Sequence, residues 1–292
     1  MRYQVRHRTT YRYGAPVERC RNEVHLRPRD TPNQVCLEHE FRSDPLPASW
    51  SERLDHFGNT VTGFAVDGPF DILEVIATSV VETSAPPAPD PLGPSWNEVR
   101  DLLATDLNPE VIEAREFCFS SPLVPETPAA FGWAASSFPA GRPLVEAVTD
   151  LNMRIHSEFD YVPGTTSVST PPAEVLEHRS GVCQDFAHLA IAALRSLGLA
   201  ARYVSGYLET NPPPGAPRLV GADASHAWFS VFVPGHGWFD LDPTNNVPTG
   251  EHHVTTAWGR DYGDVPPVKG IVFGGGSQPE LAVAVDVEPI ST

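Results

Sequence analysis

The 292-residue chain is poor in positive charge: Lys and Arg total 20 against 37 Asp and Glu, which gives a formal net charge of -17. A surface with this excess of negative charge repels nucleic acid and anionic lipid, so neither is an expected partner. The sequence also lacks an apolar segment in its opening MRYQVRHRTT, and it has no stretch long enough to span a bilayer. We therefore expect a cytoplasmic location.

Cysteine is scarce too, and nothing in the spacing of the four residues demands a disulfide, which fits a reducing compartment. They are Cys20, Cys36, Cys118 and Cys183.

The Gly-rich run at 274–276 lacks the Lys-Ser or Lys-Thr of a phosphate loop, so we interpret it as a turn between strands. His252 and His253 have no partner at metal-ligand spacing, which predicts a solvated loop. We expect neither a metal nor a cofactor.

Hydrophobic patterning predicts an α+β protein with two compact units, for which 292 residues at 41% hydrophobic content suffice. Residues 1–84 alternate between apolar and polar side chains, as in an antiparallel β domain. Proline-rich residues 85–91 begin a connection that runs, with a helical segment, to residue 140. We predict helices over 97–118 and 141–158, a catalytic core at 141–250, and a C-terminal segment at 251–292 that ends in a strand.

Cys183 lies where a loop becomes an amphipathic helix. Apolar residues recur from Phe186 at steps of three and four, Gly198 is a natural stop, and Ser180 or Gly181 is the predicted N-cap. A thiol in the first turn meets unpaired backbone N–H groups, which favour the thiolate. Cys183 is therefore a candidate nucleophile, although a free cysteine is often only a small buried hydrophobe.

A predicted hairpin supplies the partners that a nucleophile needs. Residues 226–233 read as a strand, 234–237 as a turn and 238–242 as the returning strand. If Val233 pairs with Gly237, Asp242 lies one diagonal step from His226, about 7 to 8 Å away on the same face. Asp240 then lies on the order of 13 Å from His226. We therefore prefer Asp242 as the acid that orients His226.

Other side chains near the thiol have either a structural role alone or two possible roles, one structural and one functional. His188 points roughly 140 degrees around the helix from Cys183, which favours packing. Gln184 and Asp185 are candidates to line the site. An acidic residue in the first turn, such as Asp185, is equally explained by its interaction with the helix dipole. Tyr161 is either a hydroxyl donor to an oxyanion or an ordinary packed aromatic, and the backbone N–H of Cys183 is a second candidate donor.

Three motifs carry a resemblance to the bacterial branch of the transglutaminase-like superfamily: GVCQDFAH at 181–188, ARYVSGY at 201–207 and SHAWFSVFVPGHGWFDLDPT at 225–244. Segments 3–13, 26–29 and 57–59 are similar to the β domain that precedes the core in these proteins, and 259–267 to their C-terminal segment. The resemblance implies a papain-like core with Cys183 as nucleophile, His226 as base and later acid, and Asp242 as the orienting residue.

The function implied is cysteine-dependent acyl transfer at amide or peptide bonds through a thioester. The substrate is then a peptide, a protein or a small amide, and the sequence assigns no substrate-binding residue and no oligomeric state. We favour hydrolysis because no second channel for an amine acceptor is identifiable. The alternatives are a protein-glutamine transglutaminase, a non-catalytic binding module that keeps the fold, and a metal hydrolase.

Overall fold

The computed structural model describes residues 1–209 and 225–290, and its N-terminal part is a large antiparallel sheet. Four strands of this sheet come from the start of the chain: β1 (Arg2–Val24), β2 (Gln34–Asp44), β3 (Ser49–Leu54) and β4 (Thr60–Thr83). In β1, alternate residues from Tyr3 to Thr9 are buried, which is the period-two pattern of a strand with one covered face. The predicted antiparallel β region is confirmed.

Helices fill the middle of the chain, together with two short parallel strands, β5 (Asp160–Tyr161) and β6 (Ser180–Gly181). The helices are α1 (Trp96–Thr105), α2 (Pro109–Arg115), α3 (Pro128–Ala134), α4 (Leu144–Glu158), α5 (Pro172–His178) and α6 (Cys183–Ser196). The helical region predicted over 97–118 is divided into α1, α2 and a 3-10 turn at Glu116–Cys118. Asn108 interrupts it because its side chain caps α2, with Pro109 as the first helical residue.

α6 packs against a second antiparallel sheet, in the order β10-β9-β8-β7-β11. Its strands are β7 (Ala201–Leu208), β8 (Ser225–Val233), β9 (Gly237–Asp242), β10 (Val247–Pro248) and β11 (His253–Gly259). Gly198 ends α6 as predicted, with φ of 77° and its N–H bonded to the carbonyl of Arg195. The predicted N-cap is wrong: Val182 takes this position, because Ser180 and Gly181 pair with β5.

The C-terminal segment is shared between the two sheets. β11 extends the second sheet, whereas β12 (Val268–Gly274) and β13 (Glu280–Pro289) both pair with β1 of the first. Gly274, Gly275 and Gly276 have positive φ and form the predicted turn between these strands. The domain limits drawn from the sequence remain predictions.

The two sheets contact each other through a buried cluster around Tyr3 and Tyr207. Polar contacts cross the same boundary, including hydrogen bonds between Gln34 and the backbone of Thr255. In the part of the chain that the structure describes, no helix has the length and apolar character needed to cross a membrane.

Candidate active site

Cys183 is the first residue of α6, and its side chain is half-buried. Asp185 holds this helix start: its Oδ2 accepts hydrogen bonds from the Val182 N–H at 2.8 Å and from the Thr166 hydroxyl at 2.7 Å. Burial raises the pKa of Asp185, and these two hydrogen bonds oppose the rise. Asp185 therefore shapes the N-terminus of α6 from a buried position, while the neighbouring Gln184 lines the cavity beside the thiol.

His226 and Asp242 meet because the hairpin has the predicted register. Val233 pairs with Gly237 and Ser230 with Asp240, so Asp242 lies one diagonal step from His226. The Nε2 atom of His226 is 2.8 Å from the Oδ2 atom of Asp242, and both side chains are buried. His226 also forms a side-chain hydrogen bond with Cys183, and the two residues line the same cavity.

The Asp242 carboxylate is fully buried and accepts hydrogen bonds from four residues. Its Oδ2 contacts Nε2 of His226, Nε2 of His253 at 3.2 Å and Nδ2 of Asn245 at 2.7 Å. Its Oδ1 accepts from the backbone N–H groups of Thr244 at 2.9 Å and Asn245 at 3.2 Å. A buried carboxylate with this many donors stays ionised.

The contact between His226 and Asp242 raises the pKa of the imidazole and lowers the pKa of the carboxyl group. Burial lowers the pKa of His226, but the hydrogen bond and charge of Asp242, with the neighbouring Cys183, outweigh burial and raise it to about 10. Burial raises the pKa of Asp242, but the bonds from His226, His253 and Asn245 hold it well below its usual range. Both shifts favour an imidazolium beside a carboxylate at neutral pH.

His253 corrects the prediction of a solvated loop at 252 and 253. It begins β11, is only 9% exposed, and packs its ring against Trp228 with centroids 5.3 Å apart. His252 is half-exposed and pairs with Glu209 at 2.8 Å. The β-branched run VTT at 254–256 was the available strand signal, whereas the contact between His253 and Asp242 arises only from the pairing of β11 with β7.

Asp240 has a different role from Asp242. It accepts hydrogen bonds from the Trp228 indole at 3.0 Å and from the Ser230 hydroxyl, and so anchors the ring beside His226. Gly206, which pairs with His226, makes room for that ring. A Cβ at Gly206 would lie 2.1 Å from the Val254 carbonyl and 2.6 Å from Trp228.

The remaining candidates lie around this group without joining it. His188 is buried, accepts a hydrogen bond from the Tyr262 N–H at 3.1 Å and packs against Tyr203. Burial lowers the pKa of His188 to about 4, so it is a neutral packing residue. Tyr161 is 52% exposed and touches the ring of Phe186. Burial, Cys183 and Asp185 raise the pKa of Tyr161, which keeps its hydroxyl protonated near the thiol.

A cavity of about 250 Å³ adjoins Cys183 and His226. α6 and the second sheet supply part of its wall, including Tyr203. The first sheet contributes Tyr11 of β1 and, from β13, Leu281 and Val283, two side chains that are about half-exposed. The thiol therefore opens into a space that both sheets build.

The structure describes residues 1–209 and 225–290. No set of three or more His, Cys, Asp or Glu side chains there is arranged to hold a metal ion. The acid–base groups next to the thiol are His226 and Asp242 themselves. The arrangement is suited to nucleophilic chemistry by a thiol with an oriented imidazole.

Comparison with known proteins gives two regional matches. Residues 3–82 match the bacterial transglutaminase-like N-terminal region, and residues 134–243 match the transglutaminase-like superfamily. The second match contains Cys183, His226 and Asp242. It supports a cysteine-based enzyme in general.

Similar proteins extend the comparison to the whole chain. An uncharacterized protein of Mycobacterium tuberculosis (strain ATCC 25618 / H37Rv) is 42% identical over 305 residues, covering 99% of this chain and 93% of the relative. A Protein-glutamine gamma-glutamyltransferase of Pseudomonas aeruginosa is 35% identical over 96 residues, covering 32% of this chain and 14% of that protein.

A crystal structure from Cytophaga hutchinsonii, described as a proposed cysteine protease, has the same fold. It aligns with a TM-score of 0.76 at 21% identity, and covers 100% of this chain and 92% of that one. The fold match and the regional matches confirm the predicted α+β class with its transglutaminase-like core.

Proposed function

Since this chain belongs to the transglutaminase-like superfamily, with a bacterial transglutaminase-like N-terminal region, we propose that it hydrolyses amide or peptide bonds through a thioester on Cys183. The observation that carries the proposal is the 2.8 Å contact between His226 and Asp242 on the cavity into which Cys183 opens. The substrate is a peptide, a protein or a small amide.

In this proposal the thiolate of Cys183 attacks the carbonyl carbon, and a C–S bond forms. The imidazolium of His226 gives its proton to the amine nitrogen as the C–N bond breaks, which leaves a thioester and a neutral imidazole. His226 then takes a proton from water, the hydroxide attacks the thioester, and the C–S bond breaks. Asp242 keeps the imidazole oriented and stabilises its charged form throughout.

The backbone N–H of Cys183 is the donor that we assign to the oxyanion, because the first N–H groups of a helix have no partner within the helix. Water is the acceptor we favour. The cavity of about 250 Å³ lies at the small end for ligand sites, which suits one bound acyl group better than an acyl group with a bulky amine.

Amine transfer is the second candidate, because the partial relative from Pseudomonas aeruginosa is a glutamyltransferase. The chain has a single lysine, Lys269, so self-cross-linking contributes little background to an assay of transfer. An adduct whose mass includes the added amine then identifies that amine as the acceptor. This makes hydrolysis and transfer separable in one experiment.

The test is mass spectrometry of a peptide library incubated with the wild type or with Cys183→Ala, each with and without a primary amine. We expect cleavage or deamidation in the wild type alone. Adducts with the mass of the amine would reassign the enzyme to transfer. Products that are equal in wild type and Cys183→Ala would contradict catalysis by this thiol and favour a non-catalytic module.

A metal hydrolase would respond to a chelator and to a thiol-alkylating reagent in the opposite way from a cysteine-dependent enzyme. Loss of activity with a chelator and full activity after alkylation of Cys183 would overturn the thiol mechanism. We expect the reverse pattern. The cytoplasmic location expected from the sequence remains a prediction, which fractionation of the source cells would test.

A further inference from the structure

A second cavity, of about 1100 Å³, lies between the second sheet, α2 and the proline-rich segment 85–91. It lies on the sheet face that carries Arg202. Arg202, Ser230 and Asp240 are paired across three strands and therefore share this face. Tyr203, the next residue of β7, points to the other face and lines the cavity at the thiol.

Arg202 lines this second cavity and has an unusual environment for a cation. Its guanidinium lies over the rings of Trp238 at 4.2 Å and Trp258 at 3.9 Å, and the residue is only 6% exposed. Its Nε atom is buried and has no hydrogen-bond partner among the described residues. Burial lowers the pKa of Arg202 to about 9, and the charge of Asp240 only partly offsets this.

Asp240 is the nearby acid, but the side-chain hydrogen bonds that it accepts come from other residues. One oxygen accepts from the Trp228 indole and the other from the Ser230 hydroxyl. Leaving a buried donor of a charged group without an acceptor costs free energy. An anion that entered the cavity would supply the missing acceptor, and a carboxylate matches the planar fork of a guanidinium.

The wall near Arg202 also carries negative charge, so a simple anion is a poor fit. Glu110 and Glu113 of α2 line the cavity, and neither has an ion-pair partner among the described residues. The Glu110 carboxylate lies beside Gly237, the residue before Trp238. The wall also carries polar side chains, among them His56 and His236, and it has an apolar part that includes Phe57, Phe117 and prolines of segment 85–91.

We propose that this cavity binds a zwitterion, an amino acid or a dipeptide, with its carboxylate on Arg202 and its ammonium group near Glu110 and Glu113. The side chains of the ligand would contact the aromatic and proline wall. The volume of about 1100 Å³ accommodates a dipeptide. This cavity is separate from the one into which Cys183 opens, although Arg202 shares its sheet face with His226 and Asp242.

The test is calorimetric binding of the dipeptide Ala-Phe to full-length Cys183→Ala, which prevents turnover of the probe. Two analogues separate the charges: the C-terminal amide of Ala-Phe lacks the carboxylate, and N-acetyl-Ala-Phe lacks the ammonium group. We expect each analogue to bind at least about tenfold more weakly than Ala-Phe. Free phenylalanine serves as the amino-acid arm.

The variant Arg202→Met should lose the preference for Ala-Phe over its amide. Arg42→Met is the matched control, because Arg42 is exposed and paired with Glu40, and it should bind as the parent does. If Arg202→Met does not fold, Glu110→Gln with Glu113→Gln on the surface of α2 should abolish the preference for Ala-Phe over its N-acetyl form.

Three results would overturn the proposal. Equal affinity for Ala-Phe and its amide would remove the role of the carboxylate. Unchanged binding in folded Arg202→Met would place the ligand elsewhere, and no binding of either Ala-Phe or phenylalanine at ~10 mM would show that the cavity is not a site for zwitterions.

Discussion

Asp242→Asn should uncouple the imidazole from the thiol, because it removes a charge with little change of volume. In the wild type, burial lowers the pKa of His226, but Asp242 and Cys183 raise it to about 10. Without the carboxylate charge, burial becomes the stronger influence. We expect the pKa of His226 in the variant to fall below its ordinary value of 6.5.

The size of the effect follows from these two values. A change from about 10 to 6.5 corresponds to about 5 kcal/mol of net stabilisation of the imidazolium by Asp242 and Cys183 together, after the opposing effect of burial. At pH 7 His226 is almost fully protonated in the wild type, and less than about a quarter protonated in the variant. If Asp242 orients a catalytic base, kcat/KM should fall by about 10³ to 10⁴.

The assay is alkylation by iodoacetamide across a range of pH, with each cysteine followed by peptide mass spectrometry. An ordinary thiol reacts about tenfold more slowly for each pH unit below about 8.5. We expect labelling of Cys183 at about pH 6 to be faster in the wild type than in Asp242→Asn, because the imidazolium of His226 favours the reactive thiolate beside it. Burial raises the pKa of Cys118 to about 11, so Cys118 is the slow internal reference.

Asp240→Asn is the matched control. It changes a carboxylate two residues away that contacts Trp228 and Ser230, so we expect a loss of stability but an unchanged labelling profile at Cys183. Thermal melts of both variants check that they fold. Identical labelling profiles in the wild type and Asp242→Asn would refute the reasoning, as would a wild-type profile that follows an ordinary thiol.

Three further predictions follow from the same contacts. His253→Ala removes one hydrogen bond to Asp242 and should lower kcat/KM by about tenfold, with partial recovery in His253→Gln, measured on a substrate from the peptide library. Gly206→Ala places a Cβ against the Val254 carbonyl and should cost about 3 kcal/mol in urea unfolding, whereas Gly132→Ala, with open space around it, should be neutral or stabilising. The lowered pKa of Asp242 contributes stability that is complete above its unfolded value near 3.8 and is lost as the pH falls, while the raised pKa of His226 contributes stability that is complete below 6.5 and is lost as the pH rises through about 10. Urea titrations across pH should show both losses, and a variant without the Asp242 carboxylate that kept them would contradict this account.

The hairpin could be predicted from the sequence because residues that are close together in the chain determine its strands and its turn. Alternating aromatic and β-branched residues on both sides of Pro234 and Gly235 define two strands and a three-residue turn, and the turn fixes the register. That register is sufficient to choose Asp242 over Asp240. The end of α6 is local for the same reason, since Gly198 takes a left-handed conformation there.

The contacts that the sequence did not reveal join distant segments. His253 reaches Asp242 only because β11 pairs with β7, and no periodic pattern near residue 253 identifies that neighbour. The start of α6 was misplaced because Ser180 and Gly181 pair with β5, about 20 residues earlier in the chain. Arg202 reads as an ordinary strand residue, and its two tryptophan contacts become visible only in the fold.

The pairing of β13 with β1 affects the order in which the protein matures. β1 is synthesised first, but its edge stays open until the last described strand has been made. Leu281 and Val283 of that strand also line the cavity at Cys183. A nascent chain that has completed α6, β8 and β9 therefore carries its reactive group without the final wall of the pocket, so processing of substrates should begin only after the C-terminal strand has docked.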